Sequence, residues 1–316
     1  MQYRNLGRTG YKMSRIAFGS LTMGPLGADL PVEEANRLLS ATLDKGINFI
    51  DTAQHYRNYP HIAGAIFGRT ENLIIASRSF ADTYEEMAYA VEEARIALRR
   101  NRLEIFMLHE VRDEEDFRRR AGAWQYLQDA KACGIIGAIG ISTHSAVMAS
   151  FAAQLPELDV IHALINYRGI GILDGGLAKM EKALRQAVFA GKGVYAMKAI
   201  GGGALMQDAK AALKWAFSID YLSGIAIGCK DLAELDTDIA WLEGRESPSA
   251  GQVLLLQRNL VFDKEPRCHG CGRCVARCAQ GALILDAQNQ AIWQKDLCLF
   301  CGYCIGECPW FCLSFC

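Results

Sequence analysis

From Arg15 to about Glu243, short apolar runs alternate with longer stretches whose apolar positions recur at helical spacing. The short runs are Ile16–Phe18, Asn48–Thr52, Leu73–Ser77, Ile105–His109, Ala138–Ser142, Val160–Asn166, Val194–Lys198 and Ile225–Gly228, and they predict eight strands. Helical spacing fills Val32–Asp44, Thr83–Arg99, Phe117–Cys133, Leu177–Phe189, Asp208–Ser218 and Asp231–Leu242. Strands that are apolar almost throughout are buried on both faces, the condition of a parallel sheet covered by helices. Eight of them, separated by helices, predict an α/β chain closed into a (β/α)8 or TIM barrel. An open doubly wound sheet would want G-x-G-x-x-G after its first strand, and Gly19-Ser20-Leu21-Thr22-Met23-Gly24 does not supply it. Ahead of the first strand, Tyr3–Leu6 and Tyr11–Met13 flank Gly7-Arg8-Thr9-Gly10, a hairpin expected to plug the barrel floor.

Charge narrows the partners. The 316 residues carry 34 Lys+Arg against 35 Asp+Glu, a net charge of -1, without the basic excess that a nucleic-acid or anionic-membrane partner selects. At 51% hydrophobic and 22% charged the chain is ordinary globular material, which excludes disorder. Ala132–Pro156 lacks charged residues, but Gly134, Gly137, Gly140 and then Ser142, Thr143 and His144 interrupt it, so it reads as strand, polar loop and helix instead of a membrane span. The opening MQYRNLGRTGYKM has no apolar core behind its charges, so no secretory signal is expected and a cytoplasmic location is. Disulfides are then disfavoured and thiolate-bound metal is the leading use of cysteine.

Ten of the 12 cysteines fall between Cys268 and Cys316, which divides the chain into residues 1–258 and 259–316. Cys268, Cys271, Cys274 and Cys278 follow C-x2-C-x2-C-x3-C, and Cys298, Cys301, Cys304 and Cys308 repeat it thirty residues later, with Pro309 after the last. Three thiolates at this spacing surround one cube-shaped cluster, and the fourth lies too far along to complete the same site, so it ligates the other. The sets are Cys268, Cys271, Cys274 with Cys308, and Cys298, Cys301, Cys304 with Cys278, each for one 4Fe-4S cluster. Structural zinc sites usually arrive as separated C-x2-C pairs. The segment resembles bacterial two-cluster ferredoxins, with Ala279 where that pattern often has proline, and Ala282–Leu285 and Ala291–Trp293 predict a short hairpin between the runs. Cys312 and Cys316, four apart, are expected on one helix face, and Cys133 and Cys229 are expected to serve as small apolar residues.

In a (β/α)8 barrel the chemistry sits at the C-terminal ends of the strands. The polar residues closing the runs are Asp51, Arg78, His109, Ser142 with Thr143, Asn166, Lys198 and Lys230, with Tyr56 in the loop after the second strand. Gly46-Ile47-Asn48-Phe49-Ile50-Asp51-Thr52-Ala53, with Tyr56 five residues past the aspartate, resembles the signature of the aldo-keto reductases. Leu6–Gly10, His109, Gly140-Ile141-Ser142 and Asn166 extend the resemblance over roughly residues 3 to 245; with the cysteine segment, it points to an iron-sulfur, ferredoxin-fused subgroup. The resemblance implies hydride reduction of a carbonyl by NADPH with an Asp, Tyr, Lys, His tetrad, and so Asp51, Tyr56 and His109 here, with Arg78 in the lysine's place. A free tyrosine has a pKa of about 10 and donates its proton at neutral pH only when a cation stabilises the phenolate. Arg78 supplies a permanent cation that can pair bidentately with Asp51, but its planar fork is not interchangeable with an ammonium. By the same resemblance Ser142 and Asn166 hold the nicotinamide carboxamide and Lys230 meets the 2′-phosphate of NADP(H). Asp231, Glu234, Asp236 and Asp238 crowd that segment, and Asp238 replaces an adenine-contacting asparagine.

NADPH delivers two electrons together, whereas each cluster passes one, and no flavin-binding segment converts between them. Three readings stay open. A carbonyl reductase would use NADPH and Tyr56, its clusters regulating, stabilising the fold or exchanging electrons with a partner. A one-electron reductase would be fed through its clusters by a ferredoxin or flavodoxin-type donor, without NADPH. The third is a non-catalytic electron carrier or redox sensor. The first two take a small-molecule substrate, and a homo-oligomer is compatible with all. His55, Arg57, Tyr59, His61, Arg112 and Arg168 are expected in loops at the barrel mouth, where they would favour an anionic substrate.

Overall fold

A hairpin of β1 (Tyr3–Asn5) and β2 (Lys12–Ser14) precedes eight parallel strands. These are β3 (Ile16–Gly19), β4 (Phe49–Asp51), β5 (Ile74–Ser79), β6 (Leu103–Leu108), β7 (Ile136–Thr143), β8 (Val160–Leu164), β9 (Gly193–Met197) and β10 (Gly224–Ile227). β10 pairs with both β9 and β3, so the sheet closes into a barrel. The computed structural model describes residues 1–69, 72–246, 260–262, 268–298, 303–308 and 312–315. The expected division between 258 and 259, like Cys301 and Cys316, lies outside the described residues.

Strand alternation sorts the side chains into two cores. Ala17, Phe49, Ala76, Ile105, Met107, Ala138, Val160 and Tyr195 point inward, and Leu6 and Met13 of the hairpin join them. The hairpin therefore plugs the floor, as its sequence suggested. The outward set, including Phe18, Ile50, Ile75, Phe106, Ile141 and Val194, packs beneath the helices. Gly140 is required where β7 meets β8, because a Cβ there would stand 2.0 Å from the Val160 carbonyl oxygen.

The covering helices are α1 (Val32–Asp44), α2 (Tyr59–Ile66), α3 (Tyr84–Leu98), α4 (Glu114–Arg119), α5 (Ala121–Ala132), α6 (Ala146–Ala152), α7 (Gly176–Phe189), α8 (Ala209–Ser218) and α9 (Leu232–Leu242). α3 starts at a reciprocal capping box between Thr83 and Glu86, and α9 is capped by the Asp231 side chain. The single helix expected over Phe117–Cys133 is two, broken at Arg120. Arg120 turns its guanidinium into the core to satisfy the carbonyls of Ser79, Ala81 and His109. α2 had no counterpart in the helical intervals read from sequence; Pro60 in its first turn starts it. Among the described residues no helix is long and apolar enough to cross a membrane.

The C-terminal module contains β11 (Leu260–Phe262), α10 (Arg273–Arg277), β12 (Leu283–Leu285), β13 (Ala291–Trp293), α11 (Tyr303–Glu307) and β14 (Leu313–Phe315). β12 and β13 form the expected hairpin. The helix face expected for Cys312 and Cys316 is not formed: Leu313–Phe315 is a strand paired with β11, because backbone pairing outweighs a four-residue coincidence of cysteines.

Candidate active site and cysteine centre

Inward parity continues upward from the apolar layer. Asp51 stands two residues beyond Phe49, Arg78 beyond Ala76, His109 beyond Met107, Ser142 beyond Gly140 and His162 beyond Val160, so all five enter the same buried storey. Arg78 grips Asp51 bidentately, Nη1 to Oδ1 at 2.6 Å and Nη2 to Oδ2 at 3.0 Å. Its Nη2 also donates to Tyr56 Oη at 2.6 Å. Tyr56 is delivered by a single 3-10 turn, Gln54–Tyr56, which ends on Arg57 in the left-handed region. His109 stacks on Phe80 with centroids 4.1 Å apart and meets the Tyr56 ring edge-on.

Burial sets the proton states. It pushes the Tyr56 phenol upward, Arg78 pulls it back and Asp51 pushes it up again. Burial opposes the charge on Arg78, but Asp51 and Tyr56 outweigh it and the guanidinium stays charged. Burial and then Arg78 hold His109 well below the usual imidazole range, so it is neutral at neutral pH.

Four residues of this site were not singled out from sequence. Tyr195 donates to Asp51 Oδ1 at 2.8 Å, and His162 Nδ1 lies 3.1 Å from the same oxygen. Both are polar residues inside apolar strand runs, at inward positions; that was the available signal. Arg120 fixes the backbone at the ends of β5 and β6. Tyr303 comes from α11 of the cysteine module, and no local pattern announces it. Its Oη is 3.2 Å from Tyr56 Oη and 3.1 Å from His109 Nε2.

The residues expected to hold a nicotinamide nucleotide are engaged internally. Ser142 Oγ accepts from the Glu110 amide at 2.8 Å. Asn166 clasps Ile170, giving its Nδ2 to the carbonyl and taking the amide on Oδ1. Lys230 pairs with Glu234 at 3.4 Å, and the same carboxylate accepts the Lys230 amide. Asp238 is buried inside α9 and accepts from Cys229 Sγ at 3.4 Å; burial raises its pKa to about 7. The one lysine of this donor set is paired with a carboxylate and the helix is capped by another, an arrangement that works against a 2′-phosphate.

The anionic-substrate reading of the mouth residues also changes. Tyr59 and His61 lie on α2, buried, because their side chains face the core beside α1 and not the opening. His55 and Arg112 serve the module: His55 Nε2 donates to the Tyr303 carbonyl at 3.3 Å, and Arg112 donates to the carbonyls of Ala276 and Arg277 at 3.1 and 3.4 Å. Arg277 covers the Phe80 ring at 3.9 Å and bonds Glu307 at 3.0 Å. Gln280 donates to the Gly171 carbonyl at 3.1 Å. The module is thus seated on the face of the barrel where the strands end.

Within the module Cys268, Cys271, Cys274 and Cys308 line one cavity, with buried Cys312 beside them. Burial pushes the Cys274 thiol up to about 11, and neighbouring Cys308, Cys271 and Cys268 add to the rise. The thiolates of these cysteines are the donor type that the iron of a 4Fe-4S cluster accepts. Cys278 Sγ accepts from the Ala282 amide and Cys308 Sγ from the Cys312 amide, each at 3.2 Å, so the thirty-residue repeat extends to its amide-to-sulfur bonds. Cys229 is buried as expected, whereas Cys133 is exposed, because it caps the solvent end of α5.

Residues 15–212 match the aldo/keto reductase family and residues 260–309 match a 4Fe-4S dicluster domain. The first match spans more than half of the chain, which therefore belongs to the aldo/keto reductase family. A 58-residue stretch is 45% identical to a probable voltage-gated potassium channel subunit beta of Oryza sativa subsp. japonica, over 18% of this chain and 17% of that one. A 56-residue stretch is 41% identical to the uncharacterized oxidoreductase YrpG of Bacillus subtilis strain 168, over 18% and 16%. The chain spans less than a fifth of the length of these relatives. Among solved structures, a Pseudomonas aeruginosa protein classed with the aldo-keto reductases is similar at TM-score 0.66 and 24% identity, over 77% of this chain and 95% of that one. A Bacillus halodurans aldo-keto reductase in its holo form gives 0.66 and 16%, over 78% and 92%. At these identities the likeness speaks for the fold.

Proposed function

We propose that the protein is an oxidoreductase that reduces the carbonyl of a small molecule in the barrel mouth, with a module (residues 259–316) carrying two 4Fe-4S clusters joined to a barrel (residues 1–258). The observation that carries this reading is the Arg78 guanidinium held bidentately by Asp51 while donating to Tyr56 Oη at 2.6 Å. Tyr56 donates the proton to the developing alkoxide, and Arg78 stabilises the phenolate left behind. Neutral His109 orients the substrate oxygen through a ring N–H. Asp51 positions Arg78, and Tyr195 holds Asp51.

Cys268, Cys271, Cys274 and Cys308 would hold one cluster, and Cys278, Cys298, Cys301 and Cys304 the other. Such clusters supply single electrons. The amides of Ala282 and Cys312 offset negative charge on the sulfurs they address.

A second reading concerns the electron source. Lys230 tied to Glu234, among Asp231 and Asp236, favours delivery through the clusters by a ferredoxin or flavodoxin-type donor over delivery by NADP(H). Anaerobic titration separates the two. Saturable NADPH binding with substrate-dependent oxidation supports the nucleotide. Turnover with reduced ferredoxin or viologen, and none with NADPH, supports the clusters. Turnover with neither donor across a panel of aldehydes and ketones overturns the carbonyl-reductase assignment.

A further inference from the structure

We propose that Tyr303 occupies the seat of the substrate oxygen, so that the cysteine module closes the barrel against its own substrate until Tyr303 withdraws. The inference rests on the reading of Tyr56 and His109 as the groups that address that oxygen. A carbonyl oxygen served by both must lie within hydrogen-bond reach of Tyr56 Oη and of His109 Nε2. The Tyr303 hydroxyl already stands there, 3.2 Å from the first and 3.1 Å from the second. Two oxygens cannot share one seat, so the docked position of Tyr303 and a productive substrate exclude each other.

The seat is built. Tyr303 is 5% exposed, and its ring packs with Leu26, Ala53, Tyr56 and Phe80. Its carbonyl accepts from His55 Nε2 at 3.3 Å, and Lys198 Nζ lies 5.5 Å from the ring centre. Among the described residues Lys198 is one of the few non-glycines with positive φ, at 57°, a strained backbone. The counterpart of Tyr303 in the first cysteine run, thirty residues earlier, is Arg273. Tyr303 also lies between Cys301 and Cys304, so the segment that would hold a cluster is the segment that sets the plug.

The apparent affinity for a ligand is its intrinsic affinity multiplied by the fraction of molecules with the seat vacant. Removing the phenol raises that fraction. The experiment is calorimetric titration of the anaerobic, cluster-loaded protein with benzaldehyde and no electron donor, on the wild type, Tyr303→Phe and Tyr303→Ala, with iron content and visible absorbance matched. Loss of two neutral hydrogen bonds in Tyr303→Phe should tighten binding several-fold, and loss of the ring as well in Tyr303→Ala by about tenfold or more. Should Tyr303→Ala lose its clusters, Tyr303→Phe, which keeps the packing, decides. Equal or weaker binding in the decisive variant overturns the proposal, because a merely structural tyrosine would change module stability and leave affinity alone. Adding Tyr56→Phe to Tyr303→Ala should abolish most of the gain. A gain that survives it supports the occlusion and overturns instead the assignment of Tyr56 to the substrate oxygen.

Discussion

Arg78 stands where the family resemblance puts a lysine, and the exchange has a geometric consequence. One planar cation addresses both carboxylate oxygens of Asp51 and still reaches Tyr56, contacts that fix its orientation from two sides. In the proposed chemistry Tyr56→Phe removes the proton donor, and kcat should fall by roughly 10²–10⁴ with iron content unchanged. Arg78→Met removes the cation that lowers the Tyr56 phenol. Ultraviolet titration should then find one tyrosine moved further up, and kcat should drop by about 10²–10³. If either variant turned over at the wild-type rate, the role given to these residues would be wrong. Because burial and Arg78 keep His109 neutral, replacing it by Gln should change KM and kcat without removing a titration near pH 6 to 7.

At the scale of elements, two buried polar groups decide local structure. Arg120 breaks what would be one helix and caps three carbonyls at and just beyond the ends of β5 and β6, although burial brings its own pKa down to about 10. Arg120→Met leaves those carbonyls without donors and should cost about 3–5 kcal/mol in denaturant unfolding, at the scale of breaking a buried ionic network. Asp238 in α9 behaves differently. Its folded pKa of about 7 against an ordinary value of 3.8 means that the folded chain holds the proton more tightly than the unfolded chain. Its contribution is therefore full below pH 4 and lost as pH rises to about 7, by up to about 4 kcal/mol at 1.4 kcal/mol per unit. Asp238→Asn should flatten the loss over that range; an identical pH profile in wild type and variant would show that Asp238 titrates normally.

For the molecule as a whole, the module is fastened by contacts scattered along the chain: Arg112 and Gln280 at its edge, His55 and Phe80 beneath it, Tyr303 at the centre. If iron holds α10 and α11 in place, stripping it with a chelator should release these contacts together, since metal binding and local folding are one equilibrium. Hydrogen exchange should then accelerate at residues 54–57 and 109–112 while the strands of the barrel stay protected. Unchanged exchange at the mouth after iron is lost would mean that the module docks without its clusters.

Alternation alone carried most of the fold. Eight apolar runs gave eight strands, and the polar residue ending each run marked the storey where Asp51, Arg78 and His109 meet, because period-two geometry makes a side chain's direction a matter of counting. Cysteine spacing likewise disclosed a C-x2-C-x2-C-x3-C repeat thirty residues apart, in the segment that matches a 4Fe-4S dicluster domain. What sequence could not express was whatever depends on distant residues meeting. Tyr195 and His162 against Asp51, Lys230 spent on Glu234, and Arg120 turned inward are each decided by what stands opposite in the closed barrel. Tyr303 is 247 residues from Tyr56, and no periodicity relates them. Only the seating of one folded unit on another brings the two phenols together, and with them the question of what occupies the site.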